Sequence, residues 1–235
     1  MRLDLYLVNN FDLQSRNKAS ELIKSKKIKI DGVIITKPSF NVEDNQKVEI
    51  LEDEFYVSRA AYKLKYFLDE INLDLKNTIT LDIGSSTGGF TQILLENEVK
   101  KVICVDVGSN QLHEKIKQNP KIEFYENTDI RDFKSNEKFD LVTCDVSFIS
   151  IHHIIDAINF LASDKIIILF KPQFEVGNNV KRNKKGVVLD KKAIEKARQT
   201  FIDKTQLMSW KLQYSSHSKL QGKDGNEEEL FYFSK

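Results

Sequence analysis

Two charged residues in this sequence directly follow apolar, strand-like runs, where side chains are well placed to do chemistry. Asp145 follows the run 139–144, and Lys171 follows the run 166–170. If these runs are neighbouring parallel strands, their carboxyl ends lie at the edge where open α/β sheets bind ligands. We therefore expect an acid and a lysine to face each other across a ligand crevice. The alternative to such a site is that Asp145 only caps the next helix and that Lys171 is solvated.

A glycine-rich segment provides the most specific short pattern. Residues 81–90 read Leu-Asp-Ile-Gly-Ser-Ser-Thr-Gly-Gly-Phe. The glycines allow a tight turn and close approach to a ligand, and the start of the next helix offers unpaired N–H groups. Asp106 lies 22 positions after Gly84, where nucleotide-binding βαβ units place the acid that binds a ribose. The spacing is neither G-x-G-x-x-G nor a Walker A loop. Asp82, just before the first glycine, could bind the amino group of an amino-acid-bearing cofactor, which favours S-adenosylmethionine over NAD.

The order of elements predicts two domains. Residues 1–55 suggest a small α+β domain with a helix after Ser15 and a hairpin turn at Asp31-Gly32, followed by a linker at about 51–58. Residues 56–235 alternate strands and helices and end in a pair of strands. Continuous apolar strands in such an alternation favour an α/β fold, a mostly parallel Rossmann-like sheet covered on both faces. We expect the polar, basic segment 173–186 to be a substrate-gating loop.

The charge pattern points to an anionic polymer, although the whole chain is nearly neutral. Lys and Arg number 36 against 35 Asp and Glu, but segments 14–30 and 181–192 each hold six basic residues and one acid. Such clusters bind nucleic acid or form solvated faces, and both interpretations are open here. Cys104 and Cys144 lie in apolar runs and show no metal-ligand spacing. With no signal peptide and no run of 18 apolar residues, we expect a cytoplasmic protein that uses neither a membrane nor a metal.

Several motifs resemble known families. Residues 1–50 look like the S-four RNA-binding domain, through Arg2-Leu3-Asp4, Ser15-Arg16 and the Asp31-Gly32 turn. The remainder resembles the FtsJ-type ribose methyltransferases, and the pairing resembles the TlyA family. The matching stretches are 58–64, 82–91, 105–108 with 111–112, 145–150, 170–175 and 225–228. The chain departs from the pattern at Ser109-Asn110, where the family has an aromatic residue and a glycine.

This resemblance implies 2′-O-methylation of a cytidine in ribosomal RNA, within a ribosomal subunit, with S-adenosylmethionine as methyl donor. It also implies a catalytic tetrad of Lys63, Asp145, Lys171 and Glu228. A ribose hydroxyl must lose its proton as it attacks, and a lysine can act as the base. We expect Lys171 to take that role, Lys63 to orient the hydroxyl, and the two acids to hold the lysines. The spacing from Gly225-Asn226 favours Glu228 over Glu227 and Glu229, which alternate to the other face of a strand.

The resemblance and the residue patterns together give two further sets of site residues. The predicted cofactor-binding residues are Asp82, Gly84, Ser85, Ser86, Thr87, Gly88, Gly89, Phe90, Asp106, Val107, Asp129 and Asp145. The predicted RNA-binding residues are Arg2, Arg16, Lys18, Lys24, Lys27, Lys181, Arg182, Lys184 and Lys185. Asp129 could meet an adenine ring or be a plain loop acid. Two other functions stay open: a ribosome assembly factor that binds the cofactor with little catalysis, and hemolysin-like membrane lysis.

Overall fold

A computed structural model describes residues 1–11, 13, 15–43, 45–51 and 56–235, with the Lys18 side chain outside that description. Its contacts divide the chain into two compact units, Met1–Phe55 and Tyr56–Lys235. Most of the predicted linker, residues 52–55, lies outside the described residues. The domain boundaries proposed from the sequence therefore stay a prediction.

The first unit packs two helices against a small antiparallel sheet. Helices α1 (Leu3–Asn10) and α2 (Arg16–Lys24) precede strands β1 (Ile28–Ile30), β2 (Val33–Ile34) and β3 (Val48–Ile50), in the spatial order β2-β1-β3. The hairpin expected at Asp31-Gly32 is present, because β1 and β2 pair antiparallel on either side of it. Leu3, Leu7 and Ile23 are fully buried and form part of a single apolar core.

The second unit is an α/β sheet of seven strands. The strands are β4 (Ile79–Ile83), β5 (Lys101–Val105), β6 (Ile122–Tyr125), β7 (Phe139–Cys144), β8 (Ala162–Phe170), β9 (Lys211–His217) and β10 (Glu229–Ser234). Their spatial order is β6-β5-β4-β7-β8-β10-β9. The first five run parallel, and β10 pairs antiparallel with both β8 and β9. The mostly parallel Rossmann-like sheet expected from the sequence is confirmed.

Helices cover both faces of this sheet. The helices are α3 (Arg59–Ile71), α4 (Gly89–Glu96), α5 (Glu114–Lys117), α6 (Ile155–Leu161), α7 (Pro172–Glu175) and α8 (Lys191–Leu207). Helices α3 and α4 contribute Leu64 and Phe90 to the core on one face, whereas α6 and α8 contribute Ile155 and Phe201 to the core on the other. Burial on both faces explains why the central strands are apolar along their whole length.

The structure differs from the sequence expectation in three local respects. Helix α1 is present where the sequence showed only a motif, because the one-turn spacing of Leu3 and Leu7 buries both side chains. The sequence pattern of residues 151–162 predicts one helix, but the structure has a short 3₁₀ turn followed by α6, and Ala162 already begins β8. The segment 173–186, which the sequence predicts to be a loop, begins within α7, and its Arg182 forms an isolated antiparallel bridge with Val188; its role as a substrate-gating loop stays a prediction.

Candidate active site

The candidate site lies where the strand order of the large sheet reverses. Strand β4 is flanked by β5, which follows it in the chain, and by β7, which begins the other half of the sheet. This is the switch point at which parallel sheets open a crevice beyond their strand ends. Gly84 ends β4 with φ +74°, and a Cβ at this position would lie 2.9 Å from the backbone oxygen of Asp145. Gly84 therefore lets the loop after β4 pass closely over the end of β7.

A cavity of about 310 Å³ opens at this point. The Asp106 carboxylate lies in its wall and accepts hydrogen bonds from the backbone N–H groups of Ser86 (2.8 Å) and Gly108 (2.7 Å). Asp129 also lines the cavity, and its hydrogen bond from Arg131 lowers the pKa of its carboxyl group. Two acids and the glycine loop thus border a single crevice.

The chemistry of this lining fits S-adenosylmethionine. Val107 and Ile130 offer apolar surface for a purine ring, and Asp106 lies at the position suited to ribose hydroxyls. Between Gly84 and Ser86 of this lining, the Ser85 hydroxyl is buried and has no hydrogen-bond partner among the described residues. A buried hydroxyl without a partner is costly in a folded protein, and a bound polar ligand would satisfy it.

A second cavity of about 530 Å³ adjoins the first, because Gly84, Ser86 and Asp145 line both. Lys63 and Lys171 also line the second cavity. Arg59 and Lys223 add further positive charge to its wall. The first cavity is therefore suited to a nucleoside-bearing cofactor, and the second, basic one to an anionic substrate.

Lys171 and Asp145 form an ion pair at the ends of the neighbouring strands β8 and β7. The Lys171 Nζ lies 2.6 Å from Asp145 Oδ1 and donates a hydrogen bond to the Ser147 hydroxyl at 2.9 Å. Burial raises the pKa of the Asp145 carboxyl, and the nearby Lys171 charge opposes that rise. The expectation that an acid and a lysine face each other here matches this geometry.

Lys63 and Glu228 form a second buried ion pair, although 165 residues separate them in the chain. Gln173 holds the other Glu228 oxygen with a hydrogen bond of 3.2 Å. Gly222 makes room for this carboxylate, because a Cβ there would lie 2.6 Å from Glu228 Oε1. All four residues predicted as the tetrad therefore come together in two lysine–carboxylate pairs.

The structure also separates Glu228 from its neighbours. Glu229 pairs with Phe170 across β10 and β8, so Glu228 stands next to Lys171 in that register. The Glu229 carboxylate instead accepts two hydrogen bonds from Arg198 of α8, at 2.7 and 2.8 Å. The alternation of side chains along β10 assigns one acid to each face of the sheet.

The structure does not bring Asp82 to the crevice, in contrast to the expectation for the cofactor amino group. Asp82 is fully buried and accepts hydrogen bonds from the hydroxyl groups of Thr91 (2.6 Å) and Thr143 (2.8 Å). Burial raises its pKa to about 6. Since residues alternate along β4, Asp82 faces helix α4, whereas Ile83 and Gly84 line the crevice.

The other predicted cofactor residues divide between the two cavities. Gly84, Ser86, Asp106, Val107, Asp129 and Asp145 line the first. Ser85, Thr87, Gly89 and Phe90 line the second. Gly88 faces inward, where a Cβ would lie 2.1 Å from the Ile116 side chain, and so it serves the packing of the loop. Their roles in binding stay predictions.

Phe148 belongs to the stretch 145–150 that resembles the family, but the sequence pattern did not predict it as a site residue. It lines the first cavity, its side chain is 93% exposed, and its φ of +67° is unusual for a bulky residue. Its ring lies 5.4 Å from that of Phe174, measured between centroids. Exposure and backbone strain depend on tertiary structure, so the sequence pattern alone could not single this residue out.

The predicted RNA-binding residues have different environments. Lys24, Lys181, Lys184 and Lys185 are exposed, and Lys27 is half-buried. Arg182 differs from the expectation: its guanidinium group donates to the backbone oxygens of residues 173, 177, 178 and 180 and so orders the loop after β8. Arg2 and Arg16 both pair with the buried acid Asp4. The Lys18 side chain lies outside the described residues.

Comparison with known proteins agrees with this architecture. Residues 56–235 match the model of the FtsJ-like methyltransferases, and residues 1–48 match the S4 domain. The 23S rRNA (cytidine-2′-O)-methyltransferase TlyA of Campylobacter jejuni is 47% identical, with both chains covered completely. The 16S/23S rRNA (cytidine-2′-O)-methyltransferase TlyA of Mycobacterium tuberculosis is 34% identical over 97% of this chain and 87% of its own length.

A solved structure adds a match at the level of the fold. A protein of Streptococcus thermophilus described as a hemolysin superposes with a TM-score of 0.73 at 30% identity, covering 100% of this chain and 88% of its own. The match covers the residues of both units. The chain is thus a member of the FtsJ-like methyltransferases with an N-terminal S4 domain, and within them it belongs to the TlyA family.

Proposed function

We propose that this protein transfers a methyl group from S-adenosylmethionine to the ribose 2′-hydroxyl of a cytidine in ribosomal RNA. The observation that carries the proposal is the pairing of Lys63 with Glu228 and of Lys171 with Asp145 beside one basic cavity. That cavity adjoins a second one whose lining suits a nucleoside-bearing cofactor. The names of the Campylobacter jejuni and Mycobacterium tuberculosis relatives specify the same reaction.

The first cavity would hold the cofactor. Asp106 and Asp129 offer acceptors for hydroxyl and amino groups, and Val107 and Ile130 offer apolar contact. Ser85 offers its unsatisfied hydroxyl from the adjoining second cavity. When bound, S-adenosylmethionine supplies a methyl group on a positively charged sulfur, which makes that methyl electrophilic. The loop after β4 and the end of β7 then fix where the methyl group points.

Lys171 would be the general base. Burial raises the pKa of the Asp145 carboxyl, and the charge of the nearby Lys171 opposes that rise. In its neutral amine form, the Lys171 Nζ would accept the 2′-hydroxyl proton as the ribose oxygen bonds to the methyl carbon and the bond between that carbon and the cofactor sulfur breaks. Ser147, bonded to the same Nζ, aims the amine into the cavity.

Lys63 would orient the ribose and provide positive potential. Its ammonium group pairs with Glu228, and Gln173 fixes the Glu228 carboxylate from the other side. A charge held in this way does not need to reorganise when the hydroxyl oxygen becomes negative. Lys63 and Glu228 thus position the substrate, and Lys171 and Asp145 move the proton.

The substrate nucleotide would leave its base stack to reach this site. Phe148 presents an exposed ring at the cavity rim, and exposed aromatic side chains hold unstacked bases by stacking. Arg59 and Lys223 supply charge for the flanking phosphates. The S4 unit, with its basic residues, would dock the surrounding RNA.

We further propose that the enzyme acts on RNA within a ribosomal subunit in the cytoplasm. Among the described helices, none is long and apolar enough to cross a membrane. The described residues also hold no cluster of three or more His, Cys, Asp or Glu side chains arranged for a metal ion. The catalytic groups proposed above do not call for a metal.

The test combines methyl transfer with site mapping. Purified small and large ribosomal subunits from a strain lacking the gene are incubated with the protein and tritiated S-adenosylmethionine, and 2′-O-methyl positions are mapped before and after. We expect incorporation into a cytidine ribose that is unmodified in the deletion strain and modified in the parent. Cofactor binding without incorporation would instead support an assembly factor, and leakage from lipid vesicles at micromolar protein would support a hemolysin.

A further inference from the structure

Glu175, the last residue of α7, anchors the chain at the end of the loop that follows β7. Its carboxylate accepts a hydrogen bond of 2.6 Å from the Ser150 hydroxyl and one of 2.9 Å from the backbone N–H of Ile151. The same Ser150 hydroxyl accepts a hydrogen bond of 3.2 Å from the His152 N–H. A carboxylate that follows β8 therefore fixes the point at which the chain from β7 enters its 3₁₀ turn.

The other end of this loop is also fixed. The backbone N–H of Asp145 donates a hydrogen bond of 3.0 Å to the carbonyl oxygen of Ile83. Gly84 lies so close to the Asp145 backbone that a Cβ on Gly84 would lie 2.9 Å from the Asp145 oxygen. Residues 146–149, which we name the β7 loop, therefore connect two anchored points, Asp145 and Ser150.

The β7 loop contains a strained residue, Phe148. Its φ of +67° lies in the left-handed region, and a bulky residue keeps such a conformation only where the surrounding structure enforces it. The Phe148 side chain is 93% exposed, so its burial cannot supply that constraint. The anchors at the two ends of the loop can supply it, and Glu175 is the anchor that comes from a different segment of the chain.

The β7 loop also forms a wall of both cavities in the candidate site. Val146, Phe148 and Ile149 line the first cavity, and Ser147 lines both. The Ser147 hydroxyl accepts a hydrogen bond of 2.9 Å from Lys171 Nζ. A change in the conformation of this loop would therefore move the exposed ring and the partner of the lysine together.

We infer that Glu175 is a positioning residue, which locks the β7 loop in the strained conformation that presents Ser147 to Lys171 and Phe148 to the substrate nucleotide. The inference rests on the proposed function for the identity of the substrate and of the base. The locking of the loop does not depend on that function, because it follows from the two hydrogen bonds to the carboxylate.

The first test measures the lock itself, by amide hydrogen exchange in the full-length protein without ligands. Glu175→Gln keeps the size of the side chain but loses the charge and one of the two acceptors. We expect exchange of peptides within 145–151 to become about tenfold faster, as for the loss of a charged hydrogen bond. Asp156→Asn is the matched control, because this exposed acid in the first turn of α6 loses the same charge. It should exchange as the wild type does.

The second test measures the effect on RNA methylation. We expect Glu175→Gln to raise KM for RNA about tenfold, as for the loss of one base–aromatic stack. We also expect kcat to fall about tenfold, because the Lys171 amine is less well oriented. In a Phe148→Gly background, Glu175→Gln should leave KM nearly unchanged, since both changes remove the same presented ring. A merely structural role for Glu175 predicts instead that the two effects on KM multiply.

Ser150→Ala keeps the inference testable if thermal unfolding shows that Glu175→Gln does not fold. It removes one of the two hydrogen bonds to Glu175 and leaves the bond from the Ile151 N–H. We expect the same changes in exchange and KM, with smaller size. Wild-type exchange of the β7 loop in the folded variant, or multiplying effects on KM, would overturn the inference. If the wild type transfers no methyl group, the proposed function fails, and the exchange result still decides whether Glu175 locks the loop.

Discussion

The carboxylates of Glu228 and Glu229, adjacent in sequence, are bonded to opposite faces of the large sheet. Glu228 pairs with Lys63 of α3, and Glu229 pairs with Arg198 of α8, whose guanidinium also lies 5.2 Å from the Phe231 ring centroid. The ion pair between Glu229 and Arg198 fixes the position of the first residue of β10. It thereby fixes the face of the sheet to which the preceding Glu228 side chain points. The two acids consequently have different expected roles.

Glu228→Gln and Glu229→Gln should differ in their effect on catalysis. We expect Glu228→Gln to lower kcat by about 10²-fold, since the charge that holds Lys63 is lost, and to lower the free energy of unfolding because Lys63 is left as a buried charge without its ion partner. Glu229→Gln should also lower the free energy of unfolding, by about 1–3 kcal/mol, because it weakens a half-buried bidentate pair, with kcat reduced less. The measurements are steady-state methyl transfer and urea unfolding. The reverse pattern would assign the catalytic acid to Glu229.

Lys171→Ala should abolish most methyl transfer while preserving cofactor binding. General base catalysis contributes about 10²- to 10⁴-fold, and we expect a loss of that size in kcat. Lys171→Arg is the informative control, because it keeps the positive charge but cannot release a proton at neutral pH. Incorporation of tritiated methyl groups and calorimetric binding of S-adenosylmethionine measure the two effects. Activity in the arginine variant close to that of the wild type would argue against Lys171 as the base.

Phe148→Gly should weaken RNA recognition without weakening the fold. Phe148 is almost fully exposed and has a positive φ that costs a bulky residue about 1 kcal/mol or more, so glycine relieves strain. We expect an unchanged or higher Tm, and a KM for RNA about tenfold higher because one base–aromatic stack is lost. Phe148→Tyr retains the ring and should behave as the wild type. An unaltered KM in the glycine variant would show that the ring does not contact RNA.

Asp82 should give the second unit a specific dependence of stability on pH. Its pKa is raised from 3.8 to about 6 in the folded state, so the native protein holds a proton that the unfolded chain has already released between these values. The unfolded state then binds fewer protons, and the free energy of unfolding falls as pH rises from about 4 to 6. Above pH 6 this contribution is constant.

Asp82→Asn removes that contribution and can still bond to Thr91 and Thr143. Relative to this variant, the wild type should lose up to ~3 kcal/mol of stability between pH 4 and pH 6, from a shift of about two pKa units. Urea unfolding at pH 4, 5, 6 and 7 measures the difference. Parallel stability curves for the two proteins would mean that Asp82 titrates normally.

Asp106→Asn should weaken binding of S-adenosylmethionine more than it weakens the fold. The Asp106 carboxylate holds the backbone N–H groups of Ser86 and Gly108, and so it shapes the loop that borders the first cavity. We expect Kd to rise about tenfold or more, as for the loss of a charged hydrogen bond. Glu126→Gln is a suitable control, because that half-buried acid accepts a hydrogen bond from the Asn110 N–H at the rim of the same region. Equal effects of both changes would point to a general loss of negative charge.

Much of the large sheet could be predicted from the sequence. Continuous apolar runs such as 166–170 belong to strands that are buried on both faces, and their alternation with helical segments implies a parallel sheet. Asp145 and Lys171 follow directly, since the carboxyl ends of neighbouring parallel strands share one edge. Lys63 and Glu228 came only from the family resemblance, because the contact between them spans 165 residues.

Local periodicity determined less about individual side chains. Asp82 stands one residue before the functional glycine, yet the pleat of β4 turns it toward α4 and away from the crevice. The sequence pattern predicts that Arg182 is a basic surface residue, but its guanidinium donates hydrogen bonds to the backbone oxygens of Gln173 and Gly177. Both outcomes depend on where the backbone passes in three dimensions.

The sequence by itself determined the sheet, the glycine loop and the chemical types available at its edge, because strand pattern and turn chemistry are local properties. Only the tertiary structure decided which charges meet: Glu228 with Lys63, Glu229 with Arg198, and Asp4 with two arginines. The physical reason is that a buried charge must find a partner. Which partner it finds depends on how distant segments pack together. The spacing of residues along the chain does not reveal that packing directly.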